Sequence, residues 1–217
     1  MNHIQPLLIY PGGHGKSLVS VQAIQEVLAE GQRWFSAWLG DWVVDGKSPW
    51  LDVKPLVVVD GPLPLAQFSG SQANMGQAVR DTITGYLGMA NTPDWLYLVL
   101  VRGAGAWAGT WASSGSTAGL SIGSDAVIEA ICELPRPYTM DVEHPDWPES
   151  YKTKEAQAGA WWHEGLHGLM MGKDRDIWGD EWHSPHEASL LSGAYELWPR
   201  CGLDPREIKI IKDNDWV

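Results

Sequence analysis

The chain has 217 residues, 44% of them hydrophobic and 19% charged, with a formal net charge of −12. That balance belongs to a folded domain with its own core, not to a disordered segment. The acidic excess argues against nucleic acid and against anionic membrane surfaces as partners. No apolar run approaches the roughly 20 residues of a membrane helix. Residues 1–11 lack the basic and apolar regions of an export signal, so a cytoplasmic location, or export by a non-standard route, is expected. Cys132 and Cys201 are the only two cysteines, too few for a disulfide framework, and their pairing stays open. Fourteen Trp against two Phe is unusual, and core and rim packing is the expected use of most of them.

In chain order, apolar residues at Val21, Ile24, Val27, Leu28, Phe35, Trp38 and Leu39 predict a helix over Leu18–Leu39, with Ser17 as N-cap and Gly40 as the stop. Val53–Asp60 reads as a buried strand closed by Gly61-Pro62, and Gly76–Leu87 as a helix. Trp95–Val101, uniformly apolar, predicts a central strand. The Gly-, Ala- and Trp-rich stretch Gly103–Ser121 suits an exposed edge strand with loops, and Ala118–Ile122 is a short strand candidate. Asp125–Leu134 fits either a helix or a strand, and Pro135–Ser150 reads as a loop. Helices are predicted over Thr153–Met171 and Pro185–Leu197. With no internal repeat, residues 1–217 read as one α+β domain, a mixed sheet with packed helices. Gly12-Gly13-His14-Gly15-Lys16-Ser17 falls short of a phosphate-binding loop because Tyr10 stands where that motif needs glycine.

His163-Glu164-Gly165-Leu166-His167 is an H-E-x-x-H pentapeptide, which a random chain of this composition contains roughly once in a hundred. On a helix, positions i and i+4 share a face, so both imidazoles can address one ion. Neutral imidazole suits zinc. Glu164, rotated about 100° from His163, is poorly placed as a ligand but well placed as a general base beside a metal-activated water. Two surface histidines on an ordinary amphipathic helix are the competing account. Against it stand the apolar residues Trp161, Trp162, Leu166, Leu169 and Met170 around the motif.

These residues resemble the zincin superfamily of zinc metalloproteases, in a divergent form closer to the metzincin-like type than to thermolysin. The resemblance implies a zincin-like domain with the pentapeptide on its active-site helix, bound Zn2+, and a peptide or protein substrate. The metzincin continuation is not met, since Met170 and Lys173 stand where glycine and the third ligand would be. Among Asp174, Asp176, Asp180, Glu181, His183, His186 and Glu187, two resemblances offer a third ligand. A thermolysin-like pattern offers Glu187. A segment His186-Glu187-Ala188 through Gly193-Ala194-Tyr195, similar to that of other zincin-like proteins, offers His186. Ser184-Pro185-His186-Glu187 also reads as a capping box that occupies Glu187. His186 is therefore preferred, ahead of Glu187 and Asp174; His183 remains a candidate transition-state donor and Tyr195 a candidate oxyanion donor. In zincins peptide substrate pairs with an edge strand, a role that falls here on the Gly103–Ser121 region. A zinc hydrolase acting on a non-peptide amide and a zinc-stabilised or Trp-rich binding module without catalysis are the rival readings.

Overall fold

The computed structural model describes residues 2–13, 19–40, 51–69, 71–105, 108–111, 117–134, 146–171, 173–179, 183–193 and 197–213. Its centre is a mixed sheet of six strands. The apolar run Trp95–Val101 forms β4, buried along all but its first residue. In chain order, β1 is Asn2–Gly12, β2 Leu51–Val53, β3 Val57–Pro64, β5 Ala108–Trp111 and β6 Gly119–Gly123. β4 lies between β1 and β6, parallel to both, and β5 closes that side as an antiparallel edge strand. On the opposite side β1 pairs in parallel first with β2 and then with β3.

The strand β1 is absent from the sequence prediction, in which Pro6 and Pro11 disguise it, since proline is normally kept out of central strands. The register shows how Pro6 is accommodated. Ile4 pairs with Val53 and Leu7 with Val57, so Pro6 falls in the gap between β2 and β3. The Gln5 amide bridges that gap by donating to the carbonyl of Pro55 at 2.9 Å. The single strand expected over Val53–Asp60 is correspondingly two edge strands, and β3 alternates in burial where full burial was expected.

Successive β4 residues point to opposite faces. Leu96, Leu98 and Leu100 face a core shared with Ile24, Phe35, Ile128, Trp161, Trp162 and Ile211. Tyr97, Val99 and Val101 face a second core with Phe68, Met75, Val79 and Ile83. Helix α1 (Val21–Leu39) starts at Ser20, whose hydroxyl accepts from the Ala23 amide, and stops at Gly40. The expected cap, Ser17, lies outside the described residues. Helix α2 (Gln72–Asp81) runs on into a π-helical turn, Thr82–Tyr86. Asp125–Ile131 settles as a helix, α3, and Lys154–Met170 forms α4, capped by Thr153. Trp34, Trp161, Trp162 and Trp198 are buried, in keeping with the packing role expected of tryptophan. Both cysteines are free thiols.

The predicted helix over Pro185–Leu197 does not form among the described residues. The Ser184 hydroxyl accepts from the His186 amide in a local turn, and Ser189 bridges to Gly202. A 3-10 turn follows at Leu190–Ser192. Among the described residues that follow α4, two short helices form, α5 (Asp174–Trp178) and the unpredicted α6 (Pro205–Asp213). No described helix is long and apolar enough to cross a membrane.

Candidate metal centre

The pentapeptide occupies the C-terminal half of α4, packed against the sheet. Glycines of this half of α4 are what allow the approach: a Cβ on Gly168 would lie 2.5 Å from a methyl of Leu96, and one on Gly165 3.1 Å from a methyl of Leu98. The roughly 1 kcal/mol that each glycine costs the helix is thus offset by close packing. On the other flank, Gly31 of α1 admits the Trp162 indole, whose Nε1 donates to the carbonyl of Val27 at 3.3 Å.

One turn apart on α4, His163 and His167 are both buried, with their Nε2 atoms 3.0 Å apart. The orientation of each ring is set from its other nitrogen. Nδ1 of His163 donates to the Leu190 carbonyl at 2.8 Å, and Nδ1 of His167 donates to Oδ2 of Asp174 at 2.5 Å. Asp174 reaches that position because Met171, in the left-handed region at φ 55°, ends α4 and turns the chain into α5. With both Nδ1 atoms donating, neutral rings present their Nε2 lone pairs to each other. Burial, reinforced by the neighbouring His167 and His183, holds His163 well below the usual histidine pKa. A proton is therefore poorly accommodated there, whereas a cation between the rings relieves the facing lone pairs.

The exposed His183 completes the group, so that one nitrogen from each of His163, His167 and His183 lies within 4.8 Å of the others. Its ring centroid stands 5.2 Å from that of His163 and 5.5 Å from that of His167. Such a cluster can hold a metal ion, and imidazole donors whose second nitrogen is fixed by a carboxylate or a carbonyl are the usual form of such ligands.

The preferred third ligand, His186, is not brought to the pair. Its ring is exposed, 3.0 Å from Oδ2 of Asp204 and 3.2 Å from the Arg206 guanidinium. The helix that was to aim it does not form, so the chain instead presents His183 to the cluster. Glu187 is exposed and caps no helix, while Asp174 serves His167 as a hydrogen-bond acceptor. Asp180, Glu181 and Tyr195 lie outside the described residues. His183 stands among the candidates downstream of the pentapeptide, but no motif marks it out from them as the ligand.

Glu164 is half-buried and meets the edge strand. The Thr110 hydroxyl lies 2.5 Å from Oε2 of Glu164 and 2.6 Å from the carbonyl of the same residue, so its one proton serves one of two acceptors on Glu164. The base candidate is thereby tied to β5, the strand at the open side of the sheet. Comparison with protein-family models, with curated proteins and with solved structures finds no match.

Proposed function

We propose that the chain is a zinc-dependent metallohydrolase of the zincin type that cleaves peptide bonds. His163, His167 and His183 hold the metal, and Glu164 is the general base. One observation carries the reading: the two helix histidines have both Nδ1 atoms engaged by acceptors and turn their Nε2 atoms together at 3.0 Å. Zinc bound there supplies Lewis acidity, which acidifies water and polarises a carbonyl.

Glu164 follows His163 directly and is rotated about 100° from it, outside the donor set. Its carboxylate takes a proton from the attacking water and returns it to the leaving amine. Thr110 holds that carboxylate against β5. Among the described residues β5 pairs on one side only, with β6, which leaves its other edge for a peptide added as a further strand.

The test is metal content and peptide hydrolysis in the wild type and in Glu164→Gln. One zinc per chain in both, with hydrolysis lost only in the variant, is the expected outcome. Full hydrolysis by Glu164→Gln, or a wild type that takes up no zinc, would sink the reading. Zinc without hydrolysis in the wild type would favour the binding module. Proline placed in turn at 108–111 should lower peptide turnover and spare zinc content.

A further inference from the structure

The carboxylate of Glu207 on α6 is completely buried and is not part of the histidine cluster. It accepts the Asp204 amide at 2.7 Å, while Oδ1 of Asp204 accepts the Arg206 amide at 2.8 Å, a capping box for the start of α6. Capping leaves further acceptor capacity on the carboxylate, which is directed elsewhere. Ser189 Oγ lies 2.9 Å from both Oε1 and Oε2.

Ser189 opens the turn on which the cluster depends. Its hydroxyl accepts the Leu191 amide at 3.1 Å, and the backbone on either side is laced to Gly202 by Leu190 N–H to Gly202 O at 2.9 Å and Gly202 N–H to Ala188 O at 2.8 Å. Of two consecutive carbonyls of this turn, one holds a histidine and the other holds the residue next to a second histidine. Leu190 O accepts from Nδ1 of His163 at 2.8 Å. Leu191 O accepts from the amide of Ser184, the residue after His183, at 3.2 Å.

We infer that Glu207 and Ser189 are positioning residues for the histidine cluster: they clamp the turn whose carbonyls orient His163 and place His183. The inference rests on the metal reading above. It separates Glu207 from an ordinary helix cap, because a cap lost elsewhere on α6 lowers stability without disturbing the donor set.

Cobalt(II) titration of the metal-free protein tests this without any substrate, since the visible bands report the arrangement of the donor atoms. Ser189→Ala and Glu207→Ala should each weaken cobalt binding roughly tenfold, at the lower end of what loss of an orienting partner costs a metal site. Both should also shift the visible bands. Glu207→Gln, which can still accept from Ser189, should stay within about twofold of wild type. Asp204→Ala, which removes the Asp204 side chain from the cap and leaves the clamp, should lower the unfolding midpoint with affinity and bands unchanged. Wild-type affinity and spectrum in Ser189→Ala and Glu207→Ala would overturn the inference. If Glu207→Ala does not fold, Ser189→Ala decides the matter alone. A wild type that binds neither cobalt nor zinc refutes the metal reading itself and the clamp with it, an outcome distinct from a clamp failure.

Discussion

Oδ2 of the fully buried Asp174 lies 2.5 Å from Nδ1 of His167. A buried carboxylate on an imidazole fixes the tautomer and makes the opposite nitrogen the better donor. Asp174→Ala should therefore weaken zinc binding by about 10- to 100-fold. Competition with a chromophoric chelator measures this directly. Asp174→Asn keeps an acceptor but not the charge and should fall between wild type and alanine. Unchanged affinity in both variants would remove Asp174 from the site.

Thr110 ties the edge strand to Glu164, the base of the proposed mechanism. A hydroxyl that donates to a carboxylate limits its rotation, and a general base acts only at hydrogen-bond range of the proton it takes. Thr110→Val should leave zinc content intact and lower kcat roughly tenfold, a fraction of the 10²- to 10⁴-fold contribution of general-base catalysis. Thr110→Ser, which keeps the hydroxyl, should recover most of it. A loss confined to KM would instead assign Thr110 to substrate pairing on β5.

Which parts of this architecture the sequence discloses follows from the range of the forces involved. β4 and α4 are legible because their patterns are local: seven apolar residues in a row for one, and an apolar stripe around the pentapeptide for the other. That His163 and His167 share one helix face follows from their spacing, while the turning of their Nε2 atoms together depends on Leu190 and Asp174. β1 is hidden because Pro6 is tolerated only through the gap between β2 and β3, a property of its neighbours. The choice of His183 over His186 is hidden for a similar reason. Ser184-Pro185-His186-Glu187 and Asp204-Pro205-Arg206-Glu207 obey the same capping pattern, yet only the second starts a helix. In the first, the Ser189–Leu191 turn is held by Gly202 and Glu207, contacts distant in sequence, and the chain there is bent away from helix.

Gly31 and Trp162 make a tight fit between α1 and α4. A Cβ on Gly31 would lie 2.0 Å from the indole ring, which is packed against Phe35 at 5.4 Å and Trp198 at 6.4 Å between ring centroids. The ring cannot give way without moving its neighbours. Gly31→Ala should cost about 1–3 kcal/mol by overpacking, despite the gain in helix propensity. Urea unfolding measures the loss. Near-ultraviolet circular dichroism should change with it, since Trp162 must move.

His163 and Glu207 give the metal-free protein two opposed responses to pH. Burial holds His163 well below its ordinary value of 6.5, so on acidification the unfolded chain takes up a proton there that the folded chain refuses. Stability from this group is present above about pH 6.5 and is lost progressively as the pH drops below it. Glu207 acts with the other sign. Burial pushes its carboxyl up from 4.5 to about 7, so between these values the folded chain holds a proton that the unfolded chain has released. Its contribution is complete below about pH 4.5 and is lost as the pH rises through about 7. Below about pH 6.5 the two responses oppose each other, the one falling and the other rising as the pH drops. Glu207→Gln removes one slope, so the variant should lose about 1.4 kcal/mol per unit, relative to wild type, as the pH falls from 6.5. His163→Gln should show the reverse, gaining stability relative to wild type as the pH falls through the same window. Urea unfolding of the metal-free proteins at pH 5, 6 and 7 checks both, and parallel curves for all three would refute the burial of these charges as the cause.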